Sequence, residues 1–210
     1  MEDIRLMFLL NKKRHYLVPF FYRIIRGTAI IVPLLILQSC MINGNFKGLY
    51  SYYESTYESK PELFSKEKWK CTPKDNNIVQ IINGKDLEKC LSTSSRSLVY
   101  IWGPRCKSDI CYSLDAIQKF CDDRKIKLFV VAEYYDLEQM DKNYILKNPI
   151  LAIDVQYYGT NLTSKYLKLF LKDIHIESFQ ERYLLYEKGV LKRKIDDLFK
   201  DDSLYKEVKL

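Results

Sequence analysis

Cys106 and Cys111 stand with four residues between them in SLVYIWGPRCKSDIC, residues 97–111, and thiolate chemistry is what that segment is best built for. An apolar, β-rich run ends at Trp102, a Gly103-Pro104 turn follows, and Ser108 reads as the N-cap of a helix over 108–122 with Asp109 in its first turn. The thiolate is the reactive form of cysteine. A helix N-terminus favours it through the dipole and unpaired N–H groups, and the neighbouring cations Arg105 and Lys107 add to that field. On the residues alone three roles stay open for Cys106: attacking thiolate with Cys111 as the resolving sulfur, one half of a fixed disulfide with Cys111, or an inert thiol. A Cys106–Cys111 bridge requires the helix turn carrying Cys111 to be distorted or frayed, because bridged Cα atoms lie within about 7 Å.

The other cysteines read differently. Cys121 falls on the apolar stripe Ile110, Leu114, Ile117, Cys121 and is expected as a core thiol. Cys71 and Cys90 flank a first strand and are expected to staple an N-terminal extension to the domain. Trp102 is expected to pack over the thiol loop or in the core, with Pro104 shaping the turn. The chain has two histidines, His15 and His175, and no Cys/His/Asp/Glu set with ligand spacing, so no metal is expected. No phosphate loop or Ser-His-Asp pattern points to a cofactor or another catalytic chemistry. Seventeen tyrosines, among them Tyr50, Tyr52, Tyr53, Tyr57, Tyr157 and Tyr158, suggest an aromatic partner surface.

The elements that must position these sulfurs follow from periodicity. Strands are expected at 78–82, 97–102, 127–133, 150–155, 183–186 and 190–195, the last two joined at Glu187-Lys188-Gly189. Helices are expected at 85–91, 108–122, from Leu137 to Ile145, at 161–174 and over 196–205. Continuous apolar strands on either side of one helix argue for a parallel crossover. The whole order argues for an α/β domain over 77–210 with helices covering a central sheet, to which the late hairpin adds an antiparallel edge. Residues 40–76 read as a tether followed by an aromatic extension that holds a short helix and packs on the domain.

Residues 1–39 read as a signal peptide. Arg5, Lys12, Lys13, Arg14, Arg23 and Arg26 against Glu2 and Asp3 account for four of the chain's seven net positive charges. The apolar run AIIVPLLIL, residues 29–37, is shorter than the roughly 20 residues of a membrane span. The mildly basic remainder lacks the clustered face that nucleic acid requires.

Leu37-Gln38-Ser39-Cys40 resembles a bacterial lipobox, which implies lipidation of Cys40 and anchoring in the cell envelope. The strand–Trp–turn–Cys–helix order resembles a thioredoxin-like domain of the membrane-tethered TlpA/ResA type. VYIWGPRC matches that family's strand and active segment, and YLLYEKGVL its late hairpin. The resemblance covers about residues 78–198. It implies a three-layer α/β/α sandwich and thiol–disulfide exchange with extracytoplasmic client proteins. In this chain Asp109 stands where the family has its second cysteine, leaving Cys111 as partner, and Gln180 stands where the family has a cis-proline. An inactive thioredoxin-fold module serving an envelope assembly is the alternative. P-x-C-x4-C also resembles the peroxiredoxin Q type, a thiol peroxidase, although Gly103 occupies that family's hydroxyl position.

Overall fold

The computed structural model describes residues 48–72 and 77–201. The signal-peptide reading of 1–39, the lipobox Cys40, the start of the tether and residues 202–210 lie outside them. The fold is α/β, consistent with a thioredoxin-like sandwich. In chain order the elements are α1 (Tyr53–Ser59), β1 (Phe64–Ser65), β2 (Val79–Ile82), α2 (Gly84–Ser92), β3 (Arg96–Trp102), α3 (Leu114–Asp123), β4 (Lys127–Ala132), α4 (Leu137–Met140), β5 (Leu151–Ile153), α5 (Thr163–Asp173), β6 (Tyr183–Glu187) and β7 (Val190–Ile195). The mixed sheet runs β1-β2-β5-β4-β3-β6-β7. Its first five strands are parallel, and the β6–β7 hairpin closes one side antiparallel.

β3 is buried on both faces, which is why it reads as an unbroken apolar run. On one face Tyr100 stacks on Tyr183 with ring centroids 4.6 Å apart. On the other, Tyr186, paired with Ser97, donates its hydroxyl to the Ile174 carbonyl at the end of α5 (2.9 Å). α2 and α5 pack together on that second face. Gly84 makes the approach possible, since a Cβ there would lie 2.5 Å from Asp173 Cβ. Side chains such as Leu87, Ile117 and Phe170 are wholly buried, each stabilising the fold by about 2 kcal/mol.

The extension is part of this core. Tyr53 and Phe64 both pack on Tyr135. Cys71 and Cys90 stand at disulfide distance, with Cα atoms 5.3 Å apart, and the link spans 19 residues. In chain-entropy terms such a cross-link stabilises by about 3 kcal/mol. The aromatic surface expected from the tyrosines is accordingly reduced: Tyr53 is buried and Tyr158 bonds Asp173 and Gly84, while Tyr50 and Tyr157 remain exposed.

Three expected helices differ. The helix over 108–122 begins only at Leu114, capped by Ser113, whose hydroxyl accepts the Ala116 N–H (3.3 Å). A helix begun at Ser108 would carry Cys111 in its first turn; that segment is instead non-helical, and the Cys106 and Cys111 Cα atoms lie 6.0 Å apart. The helix from Leu137 ends at Met140, because the backbone beyond it is taken by α3: Ile145 N–H donates to Asp115 and Lys147 N–H to Gln118. Residues 196–201 form no helix; Asp197 turns back to accept the Phe199 N–H.

Candidate functional site: a bridged cysteine pair at the end of β3

The chain leaves β3 at Trp102 and makes two consecutive turns. Cys106 N–H donates to the Gly103 carbonyl and Cys111 N–H to the Ser108 carbonyl, both at 2.9 Å. Pro104 is buried beneath the first turn. From the hairpin, the Tyr183 hydroxyl donates to the Ile110 carbonyl (2.6 Å) and pins the second turn to the sheet. Burial raises the pKa of that hydroxyl and keeps it a donor. These turns bring the Cys106 and Cys111 Cα atoms to 6.0 Å, and the sulfurs are at disulfide distance. Both residues are half-buried, so a solvent-borne thiol can reach the bridge.

Two expected activating features are absent from this corner. Cys106 does not abut a helix N-terminus: Ser108 and Asp109 sit in the loop, and the first helical residue is Leu114. Nor does Arg105 face the thiol. Its guanidinium forks onto Asp136 (Nε–Oδ2 2.5 Å) and reaches Glu138 (2.5 Å). Those hydrogen bonds, Asp136 first, hold it more firmly charged than an ordinary arginine. Its backbone N–H donates to the Tyr134 hydroxyl (3.2 Å). Lys107 is exposed. Trp102 is buried edge-on to Tyr144, with centroids 6.0 Å apart.

Compared with known protein families, with characterised proteins and with solved structures, the chain matches none. The site is therefore argued from its own geometry. Beneath Gly103 lies an ion pair that sequence reasoning missed: Arg182 donates to Glu133 (2.9 Å) and to the Ile101 carbonyl (3.0 Å). A Cβ at Gly103 would stand 3.4 Å from each partner and 3.5 Å from Cys106 Cβ, so a bare backbone separates the pair from the thiol loop. Glu133 also borders an apolar cleft of about 380 Å³ whose walls include Leu167, Leu171, Ile176 and Phe179. Ser108, expected as a helix cap, instead has its hydroxyl 3.4 Å from Cys106 Sγ and 3.2 Å from Cys111 Sγ. The pairing of Arg182 with Ile101 follows the register of the hairpin against β3, where the Ile101 N–H donates to the Arg182 carbonyl (2.9 Å).

Of the remaining cysteines, Cys121 is free and wholly buried in α3, where burial pushes its pKa up to about 12. It is no nucleophile at neutral pH. His175 pairs with Glu88 on the surface (2.8 Å). Among the described residues no cluster of metal-ligating side chains occurs, and no helix is long and apolar enough to cross a membrane.

Proposed function

We propose that this chain is an extracytoplasmic thioredoxin-like protein, lipid-anchored through Cys40, that exchanges disulfides with client proteins through Cys106, with Cys111 as the resolving cysteine. The observation that carries the reading is a half-buried bridge set in a two-turn loop directly off β3, with its backbone fixed by Gly103, Ser108 and Tyr183. In the reduced pair the Cys106 thiolate attacks a client disulfide, and Cys111 displaces the client from the mixed disulfide. The chemistry uses the two sulfurs and no cofactor.

One observation favours a second reading, an inactive thioredoxin-fold module of an envelope assembly. Neither Arg105 nor a helix N-terminus acts on Cys106, so the usual sources of an acidic thiol are turned elsewhere. Insulin reduction with dithiothreitol as donor separates the two. Exchange predicts turnover above the uncatalysed rate that Cys106→Ser abolishes, and a Cys111→Ser protein that accumulates as a mixed disulfide with the client. Equal rates for wild type and Cys106→Ser would leave only the inactive module.

A further inference from the structure

Opening a disulfide puts an electron pair on one of its sulfurs, and this loop holds a hydroxyl where that pair must go. Ser108 Oγ is 3.4 Å from Cys106 Sγ and 3.2 Å from Cys111 Sγ. Among the described residues it is the side-chain donor that reaches either sulfur. Its own carbonyl accepts the Cys111 N–H at 2.9 Å, so its position is set by the turn that brings the cysteines together. A bridged, neutral sulfur accepts a hydrogen bond weakly, whereas a thiolate accepts one strongly. The same contact therefore strengthens as the S–S bond breaks, which is the condition for it to speed the step.

We propose that Ser108 is a catalytic residue of the exchange, donating its O–H to whichever of the two sulfurs carries the negative charge. This rests on Cys106 and Cys111 being the exchanging pair. In the first half-reaction the Cys106 thiolate, held by Ser108, attacks one sulfur of a client disulfide. The new S–S bond forms, the client bond breaks, and the departing client sulfur leaves with the electron pair and takes a proton from water. Cys111 then gives its proton to water. Its thiolate, now the partner of the Ser108 hydroxyl, attacks Cys106 Sγ and closes the Cys106–Cys111 bond, expelling the second client sulfur as a thiolate. The client gains two electrons and the pair loses two; a dithiol donor returns the pair to its reduced state. With Arg105 committed to Asp136 and Glu138 and the helix starting at Leu114, this neutral donor replaces the charge and dipole that other thiol sites use.

The test is the pH profile of iodoacetamide alkylation of the reduced full chain, followed peptide by peptide by mass spectrometry in wild type, S108A and S108T. S108A is expected to move the Cys106 midpoint up by about one pH unit, a tenfold loss of thiolate at neutral pH, and S108T to restore it. At a pH above both midpoints, equilibration with glutathione should place the S108A bridge tenfold further toward the disulfide, about 30 mV more negative. If S108A proves poorly folded, S108G removes the hydroxyl while keeping backbone freedom in the turn. A role confined to turn structure would shift thermal stability and leave the profile in place. An unmoved midpoint in the hydroxyl-free variant, or S108T behaving like S108A, overturns the assignment to Ser108. Failure of wild type to reduce insulin would instead overturn the exchange reading itself, and the two failures are read from different assays.

Discussion

A single residue shows how far charge near a cysteine differs from charge acting on it. Arg105 precedes Cys106 in the chain, and adjacency suggests a cation beside a thiolate; the fold sends the guanidinium to Asp136, itself only 8% exposed, and to Glu138. Sequence gives the neighbour of an arginine along the chain but not the carboxylate that arrives from another loop, so this part of the site was not legible. Ser108 is ambiguous for a similar reason: a serine two residues past a cysteine suits a cap as well as a sulfur contact. Removing the guanidinium should therefore leave sulfur chemistry alone. Arg105→Met is expected to change the rate of bridge opening by dithiothreitol by less than about twofold, measured by thiol release. Asp136→Ala is expected to cost about 1–2 kcal/mol in a urea titration, because Asp136 also caps α4 through the Gln139 N–H. A large rise in bridge stability on losing Arg105 would show that its charge does reach the sulfurs.

At the scale of elements, strands were read better than helix starts. β3 and β4 are continuous apolar runs whose burial on both faces leaves one interpretation, and the Glu187-Lys188-Gly189 turn, with Gly189 at φ +79°, marks its hairpin. Helix α3 starts six residues later than its periodicity suggests, because Ile110, Leu114, Ile117 and Cys121 share a helical stripe, and two serines, Ser108 and Ser113, offer caps five residues apart. The bridge and the hydrogen bond from Tyr183 to Ile110 decide between them, and neither is visible in local periodicity. The two caps make different predictions. Ser113→Ala should lower stability by about 1 kcal/mol, read as a shifted urea midpoint at constant slope. Ser108→Ala should stay within about 0.5 kcal/mol of wild type, as for a surface position outside a cap. The reverse ranking would mean that the helix starts at Ser108 after all.

At the scale of the molecule, a mixed sheet with an antiparallel hairpin at one side was legible from the order of strands, since parallel neighbours need crossovers and the hairpin needs only its turn. The contribution of β1, two residues from within the extension, was not, and neither was the entry of β5 between β2 and β4; short edge and central strands carry too little pattern. What this packing buries sets how the fold responds to alkali. Cys121 lies at 0% exposure, and burial lifts its thiol from an ordinary 9.0 to about 12. Between those two values the unfolded chain has lost a proton that the folded chain retains, so stability falls as pH rises, by about 1.4 kcal/mol per unit for this one group. Above 10 the buried hydroxyls of Tyr135, Tyr166 and Tyr186, also raised by burial, push in the same direction. Lys127, lowered by burial, pushes the other way below its ordinary 10.5. The difference between wild type and Cys121→Ala isolates the thiol. Urea stability measured from pH 7 to 10 should favour wild type at neutral pH, where the alanine leaves a small cavity. The gap should narrow from about pH 9 upward, because the alanine protein has no buried thiol to hold neutral. Parallel curves through pH 10 would mean that Cys121 ionises as readily in the folded chain as in the unfolded one, and that α3 is not packed as tightly over the sheet as its zero exposure requires.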